Sequence, residues 1–137
     1  MKTIRFAVIL VAASGLTLTA EEDTTFTKWM KDVGKASAAL NKMETKTGLE
    51  AVEQAEKISG VYEMLIGYWR QRNAKDAVQA SVTGKAAALE IAAAAHAGAA
   101  DKVQSALAAL MGTCKSCHAA YREKADDGRY RIKQPQP

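Results

Sequence analysis

Apolar side chains recur every three or four positions from about residue 25 to residue 124, and only short polar or glycine-containing breaks interrupt the rhythm. That period belongs to helices with one buried face, not to strands. Phe26, Met30, Val33, Ser37 and Leu40 make the first seam and predict a helix over about 25–44, with Asp23, Thr24 or Thr25 as its N-cap. A turn over 45–48 follows. Val52, Ala55, Ser59, Tyr62, Ile66 and Trp69 make the second seam, over about 49–72, with Ile58 and Leu65 widening the stripe. The third segment, about 75–97, is so rich in alanine that its inner face is ambiguous. Its larger apolar residues are Val78, Val82, Leu89 and Ile91, and Ala97-Gly98 ends it.

The fourth segment, about 100–124, steps through Val103, Leu107, Leu110, Cys114, Cys117 and Tyr121, which puts both thiols on the face turned toward the bundle. Asp126-Asp127-Gly128 predicts a turn, and 129–137 an extended or frayed tail. Four amphipathic helices with short connections predict an all-α fold, an antiparallel up-down-up-down four-helix bundle. Helices of this length are roughly 30 Å long, enough to enclose a cofactor at one end while side chains fill the other.

Composition changes this picture at the N-terminus. Lys2 and Arg5 precede a mostly apolar run, Phe6 to Leu18, and Leu18-Thr19-Ala20 resembles a cleavage site, so residues 1–20 read as a secretory signal. Removal of twenty residues from 137 leaves one domain, 21–128, followed by the tail 129–137. The leader takes two basic residues and no acids, so the exported chain carries a charge of +2 and no dense basic patch. Nucleic acid is therefore not an expected partner.

The candidate chemistry is concentrated in Cys114-Lys115-Ser116-Cys117-His118. Two thiols three residues apart on a helix lie about one turn apart, so both can bond a single porphyrin through its vinyl groups. The imidazole that follows then serves as an axial iron ligand. The same pattern admits other readings. A redox dithiol normally opens a helix after a strand, and no strand-like run precedes Cys114. A zinc site would need a fourth ligand, for which only the distant His96 is available. A disulfide would leave His118 without a role. Covalent haem c, with its iron, uses all three residues.

With this motif on the last of four helices, the chain resembles the cytochrome c′ family of bacterial periplasmic proteins. Cys114, Cys117, His118, Tyr121 and Arg122 match the family's C-x-x-C-H-x-x-[YF]-[RK] ending. The resemblance implies a periplasmic location, haem c on the fourth helix with His118 as proximal ligand, Arg122 near that imidazole, and a homodimer in many members. Met30-Lys31-Asp32-Val33-Gly34 resembles the M-K-x-x-G stretch of low-spin members, which makes Met30 the candidate distal ligand. Phe26 stands where many members carry an arginine able to reach a haem propionate, so that partner is not assigned. Met30 also fits an ordinary core methionine. Met43, Met64 and Met111 are weaker ligand candidates. Gly112 would leave space for the porphyrin edge.

Two functions follow from these residues. One is a periplasmic electron carrier with His118 and Met30 on the iron and a separate redox protein as partner, for which Lys28, Lys31 and Lys35 could rim the haem edge. The other is a five-coordinate protein that binds NO or CO, with Met30 as a steric gate. No enzyme is expected, since peroxidase chemistry needs a distal acid or base and the first helix offers neither histidine nor arginine on its inner face. His96 fits a helix C-terminal cation. Trp29, Tyr62, Tyr68 and Trp69 fit core or interface aromatics.

Overall fold

A computed structural model describes residues 18–133. Helices α1 (Leu18–Lys42), α2 (Leu49–Gln71), α3 (Lys75–His96) and α4 (Ala100–Tyr121) are followed by strands β1 (Arg122–Lys124) and β2 (Tyr130–Ile132). The bounds of α2, α3 and α4 fall within about three residues of those the seams predict, but α1 begins at Leu18 instead of about residue 25, so Asp23, Thr24 and Thr25 lie inside the helix and none of them is its N-cap. Most of the expected leader lies outside the described residues, and its last three positions form the first turn of α1.

Chain neighbours are spatial neighbours: α1 packs on α2, α2 on α3 and α3 on α4. The connections explain the tightness of these reversals. Gly48 and Gly98 take positive φ, 85° and 70°, which a side chain would strain. The amide of Gly48 donates to the carbonyl of Ala95 at 3.0 Å, pinning the first connection to the end of α3. The Ala99 amide donates to Ala94 at 2.9 Å, closing α3 at the predicted glycine.

The ambiguity of α3 resolves toward its small residues. Ala77, Ser81, Gly84, Ala87, Ala88 and Ala95 are buried, whereas Val82 and Leu89 are 40% and 49% exposed. Of the larger apolar residues in α3 only Ile91 is fully buried. Small side chains let α3 approach α2 and α4 closely, which puts it at the centre of the bundle. Leu40, Ile58, Trp69, Val103, Leu107 and Leu110 complete the core at 2% exposure or less.

The C-terminal end is corrected as well. Instead of a fourth helix reaching 124, the chain leaves helical geometry at Arg122 (φ −104°, ψ 122°), and the start of the segment expected to be an extended or frayed tail is an extended strand paired in an antiparallel hairpin. Arg122 pairs with Ile132 and Lys124 with Tyr130 in register, around a turn where Gly128 takes φ 80°. The Lys133 amide donates to the Tyr121 carbonyl at 2.7 Å, so the returning strand is tied to the end of α4. β-Branched and aromatic residues at 130 and 132 and an Asp-Gly turn support this hairpin, but the stretch is too short for periodicity to reveal it.

Candidate cofactor site

Helices α1 and α4 do not share a packed seam; a cavity of about 700 Å³ lies between them. Its size is within the range that encloses a large organic ligand. All five residues singled out in the sequence line it: Met30 from α1, and Cys114, Cys117, His118 and Arg122 from α4 and its end. The seam explains the convergence. Thiols continuing the Val103–Leu107–Leu110 stripe must face inward, and at this end of α4 the inward direction is the cavity.

The two thiols are half-buried and not joined to each other. Burial, with the nearby charges of Cys114 and Asp76, pushes the Cys117 thiol up to about 11 from its ordinary 9.0. Burial also lowers the pKa of His118, and the positive charge of Arg122 adds to this. At neutral pH His118 is therefore uncharged, the form whose ring nitrogen can donate to a metal. Among the described residues no three His, Cys, Asp or Glu side chains form a metal-binding group, and His96 is exposed at the end of α3, so the zinc ligand set is not assembled.

Several features test whether the cavity suits a porphyrin. Gly34, one turn beyond Met30, faces it, and a Cβ built there meets nothing within 4 Å. Ser37 and Trp69 also line it, with their Oγ and Nε1 atoms buried away from its accessible surface. Two inward thiols, a neutral imidazole and an apolar wall of Phe26, Val33 and Leu65 complete a donor set and lining that fit haem.

Some sequence expectations move. Gly112 is exposed and does not line the cavity; Gly34 is the glycine that does. Lys28, Lys31 and Lys35 do not share one rim. Lys31 borders the cavity, whereas Lys28 and Lys35 lie on a groove between α1 and α2, where Lys28 pairs with Asp32 at 2.7 Å. Met64 is 52% exposed away from the site, Met43 packs on the core, and Met111 borders the cavity from α4 itself.

Tyr62 is the residue that sequence reasoning placed too blandly. It is 6% exposed, and its hydroxyl lies 3.3 Å from Thr113 Oγ1 and 3.5 Å from Cys114 Sγ. Burial, then the neighbouring Cys114, raises its pKa far above the usual tyrosine value. The ring passes over Gly84, where a Cβ would stand 2.4 Å from two ring carbons. A lone glycine inside an alanine-rich helix was the available signal for this close approach. Phe26, Trp29, Tyr68 and Trp69 form a tilted and edge-on aromatic cluster, and Trp69 continues it to Tyr121, 4.6 Å between ring centres. Tyr121 in turn donates to Asp76 on α3.

A helical bundle that presents a C-x-x-C-H thiol pair to an apolar cavity defines a c-type cytochrome, with haem c as its covalent cofactor. Residues 62–122 match the family model described as Cytochrome C'. The matched span runs from Tyr62 to Arg122, and so includes the whole attachment motif but not α1. No curated protein and no solved structure matches the chain.

Proposed function

We propose that the protein is a periplasmic carrier of single electrons, with haem bonded to Cys114 and Cys117, His118 as proximal iron ligand and Met30 as distal ligand. The supporting observation is that Met30, from the opposite helix, borders the same cavity as His118. The haem supplies reversible one-electron chemistry at its iron. The thiols fix its orientation, and the neutral His118 imidazole offers a lone pair from α4. Met30 adds an uncharged thioether from α1, which favours the reduced state and raises the potential. The apolar wall keeps water away and acts in the same direction. Two protein ligands held on separate helices also keep rearrangement small when the charge changes.

The partner in this reading is a second redox protein in the periplasm, the location typical of the family. Among the described residues no helix is long and apolar enough to cross a membrane. Absorption spectra of the oxidised and reduced protein, with and without carbon monoxide, test the assignment in wild type and Met30→Ala. Wild type is expected to be low-spin and slow to take up carbon monoxide, and Met30→Ala to become high-spin and bind it promptly. A high-spin wild type that binds carbon monoxide at once, with spectra unchanged by Met30→Ala, would replace the carrier with a protein that binds NO or CO.

A further inference from the structure

The hairpin that replaces the expected tail supplies part of the cavity wall. Tyr130, Arg131 and Ile132 of β2 border the cavity together with Cys117 and His118. Covalent haem brings two carboxylates with it, and a carboxylate at the edge of an apolar site needs a cation or several hydrogen bonds. Phe26, buried in the aromatic cluster, cannot serve. Arg122 has its guanidinium 4.1 Å above the Tyr130 ring centre, which commits it to holding the hairpin. Arg131 is differently placed. Its Nε pairs with Glu123 Oε1 at 3.2 Å across the hairpin, and both side chains are about half exposed. That pair is weak, and it leaves the two terminal nitrogens of the guanidinium for another acceptor. The planar fork of an arginine matches a carboxylate better than the single charged point of Lys31 or Lys115 on the same rim.

We propose that Arg131 binds a haem carboxylate and that the 122–132 hairpin is the strap that delivers it, closed on the cofactor by Arg122 stacked on Tyr130. This rests on the haem reading of the cavity. It gives the C-terminal segment a task that neither the attachment motif nor the axial ligands perform.

Three variants of the haem-loaded protein separate this role from a merely structural one: Arg131→Gln, Glu123→Gln, and Arg129→Gln in the turn. Two readouts are taken, the rate at which a lysine-specific protease cleaves after Lys124 and the reduction potential. Loss of a charge-assisted bond to the cofactor should raise hairpin opening about tenfold or more in Arg131→Gln. Removing a cation beside the haem should also lower the potential. Glu123→Gln and Arg129→Gln should open the hairpin only slightly and should not lower the potential. If Arg131→Gln opens the hairpin no more than Glu123→Gln, or leaves the potential at the wild-type value, the assignment is overturned. A wild-type protein matured without covalent haem overturns the haem reading as well, so the two failures are distinguishable.

Discussion

Replacing Gly84 with alanine isolates the contact that sets Tyr62 beside the thiols. The new Cβ would stand 2.4 Å from Tyr62 Cε1 and Cζ and 2.9 Å from Oη, against the 3.4 Å at which ordinary contact begins. The ring must therefore retreat by about 1 Å, and in a close-packed interior that displacement is felt. Its escape is limited, because Tyr62 is 6% exposed and its hydroxyl meets Thr113 and Cys114 on α4. Overpacking of this kind costs about 1–3 kcal/mol, while replacing a mid-helix glycine by alanine returns about 1 kcal/mol of helix propensity. The net expectation is a loss of roughly 1 kcal/mol, or a melting temperature lower by about 4 °C for a domain of this size. Gly60→Ala and Gly67→Ala provide controls on α2. Their built Cβ atoms meet nothing within 4 Å, so both should stabilise by about 0.5–1 kcal/mol. In a Tyr62→Leu background Gly84→Ala should change sign and stabilise as the controls do. The assay is thermal and urea unfolding of all these variants. If Gly84→Ala raised the melting temperature as much as Gly60→Ala does in the Tyr62 protein, the reasoning would fail.

Two further outcomes follow from the packing and the charges. Ala88 is fully buried and Leu89 is 49% exposed, so Ala88→Leu should cost about 1–3 kcal/mol in urea unfolding while Leu89→Lys stays within about 0.5 kcal/mol; equal effects would show the wrong face of α3 assigned. Tyr121→Phe should reduce stability only inside a pH window. The Tyr121 hydrogen bond holds the Asp76 carboxyl below its ordinary 3.8, so its benefit is present above that value and lost as pH falls through the lowered one. The same bond raises Tyr121 to about 12 from 10.0, so the benefit is complete below 10 and fades as pH rises through 12. Unfolding of the two proteins from pH 3 to pH 12 checks this, and a gap independent of pH would refute it.

The seams of α1, α2 and α4 were legible because each carries large apolar residues at helical spacing, and burial of that face follows directly. Cys114, Cys117 and His118 were legible for a further reason: a spacing that serves one chemistry lies on the same seam that fixes their direction. The inner face of α3 was not, since alanine is compatible with either side and two of its four larger residues, Val82 and Leu89, point outward while Ile91 is buried. Tyr62 read as an ordinary core aromatic because its position on the α2 stripe says nothing about which end of the bundle is hollow. The strap was missed because three-residue strands carry no usable period, and the pairing of Arg122 with Ile132 is a contact across ten residues.

The uneven packing of the four helices bears on how the fold opens. Helix α3 is clasped between α2 and α4, whereas α1 rests on α2 along one flank and borders the cavity along the other. Local unfolding starts where the fewest apolar contacts must be broken, so α1 forms the outermost cooperative unit and the α2–α3 pair the most persistent one. Met30 rides on that outermost unit, while His118 belongs to the helix packed on the centre. The two sides of the proposed iron site therefore sit on ground of different firmness: excursions of the backbone release the α1 side first, and whatever links α1 to α4 across the cavity also sets how often α1 departs.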